Sequence, residues 1–270
     1  MEVQVKTNKQ NKIMHSKNFK TDQIKPTIKS NIAFTAGDLL FDWTAFEIPN
    51  GAAILQDISG YITGTNGSSQ VGELFNLVFA KAIDGTPPPS LGTVNGGLAA
   101  ASSVPSKNHI IGYQSIDFGE RADAVLDSMV SYNMFGANFS STTPYVHQPI
   151  VLQGDRAEGL ANKGFQKIYV AGIAESNIDF GTGALANGNT VHPDNTITVD
   201  GTAATNVFAV GDAIYSATVA GGSIVDIGTI TAVVDGTITV DYGDNSGITI
   251  TNNHEICHTN PISIRFGLQY

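Results

Sequence analysis

The chain has 270 residues, rich in glycine (29) and with 10 prolines, and its 14 basic against 24 acidic side chains give a formal net charge of −10. A body that acidic repels nucleic acid and membrane phosphates, so contact with polyanions is not expected of it. The one cysteine, Cys257, excludes an internal disulfide framework and any CxxC zinc site, and reads as a small buried apolar residue.

The charge is unevenly placed along the chain. Lys6, Lys9, Lys12, Lys17, Lys20, Lys25 and Lys29 are half of all the basic residues; set against Glu2 and Asp22, they give the first 30 residues five surplus positive charges and leave the remainder with fifteen negative. The segment is polar, has no sustained period and holds scattered apolar residues such as Ile13, Phe19, Ile24 and Ile28. It predicts an extended basic arm, residues 1–30, with no core of its own and disordered when free, which is either a floppy terminus or an arm that orders against an acidic neighbouring subunit. Its seven lysines, with Phe19, Ile24 and Ile28 as apolar anchors, are the candidate partner-binding residues. Without arginine or aromatic interleaving, the arm is not expected to bind nucleic acid. No signal-peptide core opens the sequence and no run of 18 apolar residues occurs, so neither export by that route nor insertion in a membrane is expected.

From Ile32 the texture becomes short apolar or alternating runs separated by Gly, Pro, Asn and Asp, the pattern of strands and turns. Candidate strands are Asp38–Asp42, Ala52–Thr63, Glu73–Ala82, Ile110–Phe118, Val125–Tyr132, Val146–Gln153, Gln166–Asp179 and Ile262–Gln269. That spacing suits an all-β, jelly-roll-like β-sandwich over residues 31–189 rather than a βαβ fold. Asp84–Lys107, with its three prolines, and Phe135–Pro144 read as loops, and Asp155–Lys163 as one short helical turn.

Between residues 190 and 259 the strands become shorter, and Asp235-Gly236 sits between two β-branched runs as a hairpin turn. Five or six such strands predict a small β-barrel, inserted into the sandwich. The alternation of Ile262, Ile264, Phe266 and Leu268 with Ser, Arg, Gly and Gln is a half-buried strand, so residues 260–270 are expected to return to the sandwich, beside Gln166–Ile178.

The supply of reactive groups is thin. His254-Glu255-Ile256-Cys257-His258 matches the His-Glu-x-x-His spacing of zinc hydrolases, but Asn252-Asn253 before it and Asn260-Pro261 after it leave no room for the two helical turns that aim both imidazoles at one metal. Asp235, Asp241, Asp244 and Asn245 lack the spacing of a calcium loop. Gly181-Thr-Gly183 and Gly221-Gly222 have neither a following helix nor a basic partner and read as turns. Trp43, Tyr61, Tyr145 and Tyr242 are the residues that would stack on sugar rings, if they are exposed rather than core. The reading from residues is therefore a non-enzymatic protein with no catalytic residue, no metal site and no cofactor.

At "TAGDLLFDWTAFEIPNGAAILQDISGYITGTNG", running on to "LFNLVFAKA", and at "VFAVGDAIYSATVAGGSIVDIGTITAVVDGTITVD", the chain resembles virion structural proteins of tailed bacteriophages, particularly of marine hosts. The second stretch is similar to small β-barrels of head decoration proteins. The resemblance is one of texture and does not reach the lysine-rich arm. It implies a decoration or cement protein on the capsid surface, assembled in the host cytoplasm, whose partners are the major capsid protein or other virion proteins. It also implies a homo-oligomer, a trimer at local three-fold positions, with the arm reaching an adjacent subunit. A tail, collar or fibre component and a sugar-binding β module are the other readings.

Overall fold

The computed structural model describes residues 18–30, 32–49, 51–63, 74–98, 106–117, 122–126, 129–133, 150–157, 166–178, 180, 184–200, 204–218 and 223–270. The chain is all-β. Its first unit is a sandwich built from β1 (Phe19–Ile24), β2 (Leu39–Glu47), β3 (Ala53–Thr63), β4 (Leu74–Ala80), β5 (Ile110–Asp117), β6 (Ala122–Leu126), β7 (Met129–Asn133), β8 (Ile150–Leu152), β9 (Lys167–Ala174) and, much later in sequence, β18 (Ile262–Gln269). One sheet runs β1-β18-β3-β7-β6 with β8 also on β3, and the facing sheet runs β2-β9-β4-β5.

The pairs β1 with β18, β2 with β9, β3 with β8 and β4 with β5 are all antiparallel. They are the rungs of one long hairpin rolled around itself, which is a jelly roll. The β6–β7 hairpin adds to its edge. Where one strand, Val125–Tyr132, is expected, two short strands stand instead, β6 pairing antiparallel with β7 and β7 with β3.

The rolled pairing also corrects the expected place of the returning strand. β18 lies between β1 and β3, not beside Gln166–Ile178, because both sides of β9 are already taken by β2 and β4. Ile262, Ile264, Phe266 and Leu268 are fully buried, as the alternation requires, and they face Phe46, Phe75, Leu77, Phe79, Ile168 and Val170 of the other sheet. Phe266 stacks on Phe46 at 4.4 Å between ring centres, with Phe79 edge-on to it at 5.8 Å. Gly172 of β9 is needed here, since a β-carbon there would overlap the ring of the buried Phe41.

The outer side of the second sheet carries a small apolar layer of its own. Leu39, Trp43 and Ala171 pack with Leu91 and Leu98 of the loop after β4, Tyr169 packs with Ala80, Ala82 and Trp43, and Trp43 Nε1 donates to the Pro89 carbonyl at 2.9 Å. Of the helical turn expected at Asp155–Lys163, residues 155–157 are not helical and 158–163 lie outside the described residues, as does the expected loop Phe135–Pro144.

Between β9 and β18 comes the second unit: β10 (Ala184–Leu185), β11 (Thr190–Val191), β12 (Thr196–Thr198), helix α1 (Ala204–Val207), β13 (Ala213–Ala217), β14 (Ile224–Val234), β15 (Thr237–Asp241), β16 (Thr249–Ile250) and β17 (Glu255–His258). Six of the strands form one sheet, β10-β17-β13-β14-β15-β12, and β11 pairs with β16. The sheet curls until its first and last strands meet: Ala186 bridges Val199, Asn187 N donates to Thr198 O and Asp200 N to Leu185 O. Its interior is Ile197, Val199, Ile214, Ile227, Ile230, Ile238, Val240, Ile250 and Ile256, apart from the sandwich core. Asp235-Gly236 turns the β14–β15 hairpin, with Gly236 at φ 72°.

Candidate functional site

The residues proposed from sequence as an arm divide into three groups. Lys6, Lys9, Lys12 and Lys17 lie outside the described residues. The second group is not arm-like at all. Residues 19–24 are strand β1, hydrogen-bonded along its length to β18, and Ile24 and Ile28 are 5% and 1% exposed inside the sandwich core of their own chain. An arm that begins at residue 1 and ends at residue 30, with Ile24 and Ile28 as anchors for a neighbour, is therefore corrected: their apolar surface is already used. Lys20 is held as well, its Nζ donating to Glu47 O at 3.0 Å, while Asp22 accepts from Glu47 N at 3.1 Å. Phe19 is the third group: at 69% exposed, it remains available at the root of the segment.

Residues 25–30 form a strap pressed between the two units. Asn260 Nδ2 donates to the carbonyls of Lys25 and Pro26, both at 2.9 Å, and Ile28 N donates to Thr259 O at 2.8 Å. Lys29 is ion-paired with Asp226 of β14. The Tyr215 hydroxyl on β13 donates to Ser30 O at 2.7 Å and accepts from Ser30 N at 3.1 Å, so one phenol satisfies both main-chain groups of one residue. Alternation along β13 explains the arrangement: Ile214 points into the barrel, while Tyr215 and Ala217 point out and are covered, with Cys257 beside them. Burial pushes the Tyr215 phenol far above its usual range, so it acts as a fixed donor and acceptor and not as an acid. Sequence reasoning missed Tyr215, Ser30 and Asn260; nothing in their local pattern distinguishes a tyrosine that buckles two units from one that fills a core.

The His-Glu-x-x-His stretch lies on a strand. His254 precedes β17 and His258 ends it. Four residues of strand span about 13 Å, several times the separation that two imidazoles on one zinc allow. Their contacts confirm the separation: His254 Nδ1 lies 3.3 Å from Ser216 Oγ, and His258 Nε2 lies 2.9 Å from Val207 O, with Phe208 against its ring and Asp212 Oδ2 3.6 Å from Nδ1. Burial pulls the His258 imidazole below its ordinary range, against the opposing pull of Asp212. Among the described residues, no group of three His, Cys, Asp or Glu side chains is arranged to hold a metal ion.

The other expected sites are largely structural in use. Asp241 accepts from Gly243 N and Asn245 Nδ2 donates to Ile227 O, so those residues shape the turn after β15. Trp43 is half-buried and bonded, and Tyr242 is buried with its hydroxyl on Asp194 O at 2.7 Å, so neither offers a ring face for stacking. Tyr145 lies outside the described residues. Tyr61 lines a depression, on the outer face of the first sheet, with Gln23, Ser59, Gly60, Ser263 and the exposed Arg265. The cross-strand registers Gln23–Arg265–Ser59 and Ser263–Tyr61 place these side chains in adjoining rows.

No family model matches the chain, and no curated protein does. Among solved structures, a chain from the atomic structure of Sulfolobus Turreted Icosahedral Virus aligns over 93% of this chain and 89% of its own length, at 12% identity and a TM-score of 0.15. A superposition that poor establishes no common fold, and nothing is transferred from it. Among the described residues, no helix is long and apolar enough to cross a membrane.

Proposed function

We propose that the chain is a non-enzymatic structural subunit of a bacteriophage virion, a decoration or cement protein that sits on the capsid surface and ties neighbouring shell subunits together. What supports the reading is the use to which the described polar side chains are put. Lys20, Asp22, Lys29, Tyr215, His258 and Asn260 all hold strands and units to one another. The jelly roll itself recurs in viral capsid domains, and the resemblance in the sequence points to the same setting. On this reading the partners are the major capsid protein or other virion proteins. The mechanism is thermodynamic: a protein that binds only the mature shell stabilises that state by mass action.

The test compares the full chain with one lacking residues 1–17, which keeps β1 intact, for occupancy on expanded capsids. Stoichiometric binding that weakens when Lys6, Lys9, Lys12 and Lys17 are removed is the expected result. Unchanged occupancy would sink the role of the lysine-rich segment; absence from purified virions would sink the reading as a whole. The depression around Tyr61 and Arg265 favours a second reading, a sugar-binding module or a tail, collar or fibre component with a receptor-facing surface, since jelly rolls also serve as lectins. Retention on a glycan array, lost in Tyr61→Ala, would favour it.

A further inference from the structure

From the register of β1, β18 and β3 we infer that the depression on the outer face of the first sheet binds a single sugar residue that carries a carboxylate, held between Arg265 and Tyr61. The inference rests on the sugar-binding reading of that depression and names its ligand class; it is independent of the virion reading.

The register builds the site. Ile24 of β1, Ile58 and Ile62 of β3, and Ile262, Ile264 and Phe266 of β18 all face the sandwich core. Strand alternation therefore turns Gln23, Ser59, Tyr61, Ser263 and Arg265 to the outer face. Arg265 stands directly opposite Gln23 on one side and Ser59 on the other, and Ser263 directly opposite Tyr61. Arg265 and Tyr61 are thus diagonal neighbours, their backbones about 7–8 Å apart, with the two serines at the other corners. Long side chains at two corners and short ones at the other two leave a hollow between a guanidinium and a phenol. It measures about 160 Å³, room for one ring and its substituents and for no folded element.

The floor of the hollow is polar and fixed. Ser263 is 1% exposed, and Gln23 Nε2 donates to its hydroxyl, which holds the Gln23 amide in place. Arg265, by contrast, is exposed and makes no ion pair among the described residues, in a chain with 24 acidic side chains. The neighbouring carboxylate on the same face, Asp57, lies one row further on, opposite Gly267. Nor does Arg265 guard an open edge, because β18 lies between β1 and β3. An arginine on an inner strand without a counter-ion offers two parallel donors to an incoming carboxylate.

Three features choose the ligand. The guanidinium selects an anion, and because charges more than about 10 Å away are screened at ordinary salt, the acidic excess elsewhere on the body does not reverse the local sign. The Tyr61 ring across the hollow suits the apolar face of a pyranose. The Ser59 hydroxyl and the Gln23 amide supply the donors and acceptors that ring hydroxyls require. A carboxylate side chain of a partner protein would use Arg265 and leave the rest of the hollow unfilled. A neutral sugar would use the ring and the hydroxyl and leave Arg265 without a counter-ion. A uronic-acid type of residue uses all of them.

Amide chemical shifts of the full chain, titrated separately with methyl β-glucuronide, methyl β-glucoside and glutarate, test this. The glucuronide is expected to move the amides of residues 23, 59–61 and 263–265 with a Kd on the order of 1 mM, about tenfold tighter than the glucoside or glutarate. Arg265→Gln, at an exposed position, should leave the melting temperature and glucoside binding unchanged and weaken the glucuronide about tenfold. Arg265→Lys, which keeps the charge and loses the fork, should fall between. Equal binding of glucuronide and glucoside overturns the inference and leaves the sugar-binding reading standing, whereas no shift with either sugar overturns both. Glutarate bound as tightly as the glucuronide overturns it in favour of an acidic protein side chain as the occupant. A glucuronide affinity that Arg265→Gln leaves unchanged overturns it as well.

Discussion

The sandwich and the inserted barrel solve the same problem with different side chains. The sandwich fills the space between two facing sheets, about 10 Å apart in such folds, with Phe34, Phe41, Phe46, Phe75, Phe79 and Phe266. The barrel, whose sheet curls on itself, is filled mostly by isoleucine and valine, with three alanines and only Phe208 and Tyr242 as rings. Wide gaps call for large rings in a few orientations, and narrow ones for branched chains that pack against a curved sheet. The units differ equally in how their strands find each other. β13, β14 and β15 are joined by successive hairpins, whereas β1 waits for β18 and β2 for β9.

If the two cores are independent, single substitutions should separate them. The chain has one tryptophan, Trp43, on β2, so its fluorescence reports the sandwich alone. The largest effect is expected from Phe266→Ala, which removes a fully buried ring from between Phe46 and Phe79 and should lower sandwich stability by about 3–5 kcal/mol. Denaturant unfolding followed at Trp43 should shift, while circular dichroism should retain a later transition from the barrel. Gly228→Ala is the matching break on the other side. Gly228 has φ 144° and lies against Asp241 O of the neighbouring strand, so the cost is about 3 kcal/mol in the barrel, with the Trp43 transition unmoved. Coincident transitions in both variants would show that the two units unfold as one.

The next effect sharpens the comparison at its seam. Tyr215→Phe removes the group that serves both Ser30 N and Ser30 O, and should cost about 1–3 kcal/mol. It should also speed amide exchange at residues 28–30 ahead of either core.

The smallest effect is one of pH. The folded His258 has its proton affinity reduced by burial, only partly offset by Asp212 and the Val207 carbonyl. Below the ordinary histidine range the unfolded chain takes up a proton that the folded barrel does not, so barrel stability falls as pH drops through that range towards the lower folded value and then levels off. Thermal melts of His258→Gln should lose this slope, and Asp212→Asn should steepen it.

Much of this fold can be read from the residues, and the failures have physical reasons. The alternation of Ile262 to Leu268 and the turn at Asp235-Gly236 are local signals, and both elements form where their patterns place them. The strand character of Phe19–Ile24 has no such signal: its exposure runs high and low with only Ile24 buried, because one side is open to solvent and its partner lies some 240 residues away. Ala184–Leu185 is too short to show a period, which is why the barrel was expected to begin at residue 190. The flanking asparagines and proline made it legible that no helix carries His254 and His258, but they point to a loop, and the buried strand Glu255–His258 was not legible from them. The buckle of Tyr215 on Ser30 was not, since it depends on two units meeting.

The place of β18 has a consequence for synthesis. Because it forms the inner rung between β1 and β3, with hydrogen bonds to both, the ribosome must have translated past Ile262 before β1 has its strand partner. Until then Ile24, Ile58 and Ile62 lack the wall that covers them, while the barrel strands already have theirs. A nascent chain of this design completes its insert before its host domain, and any product cut short of β18 displays two raw strand edges, a ready target for chaperones and proteases.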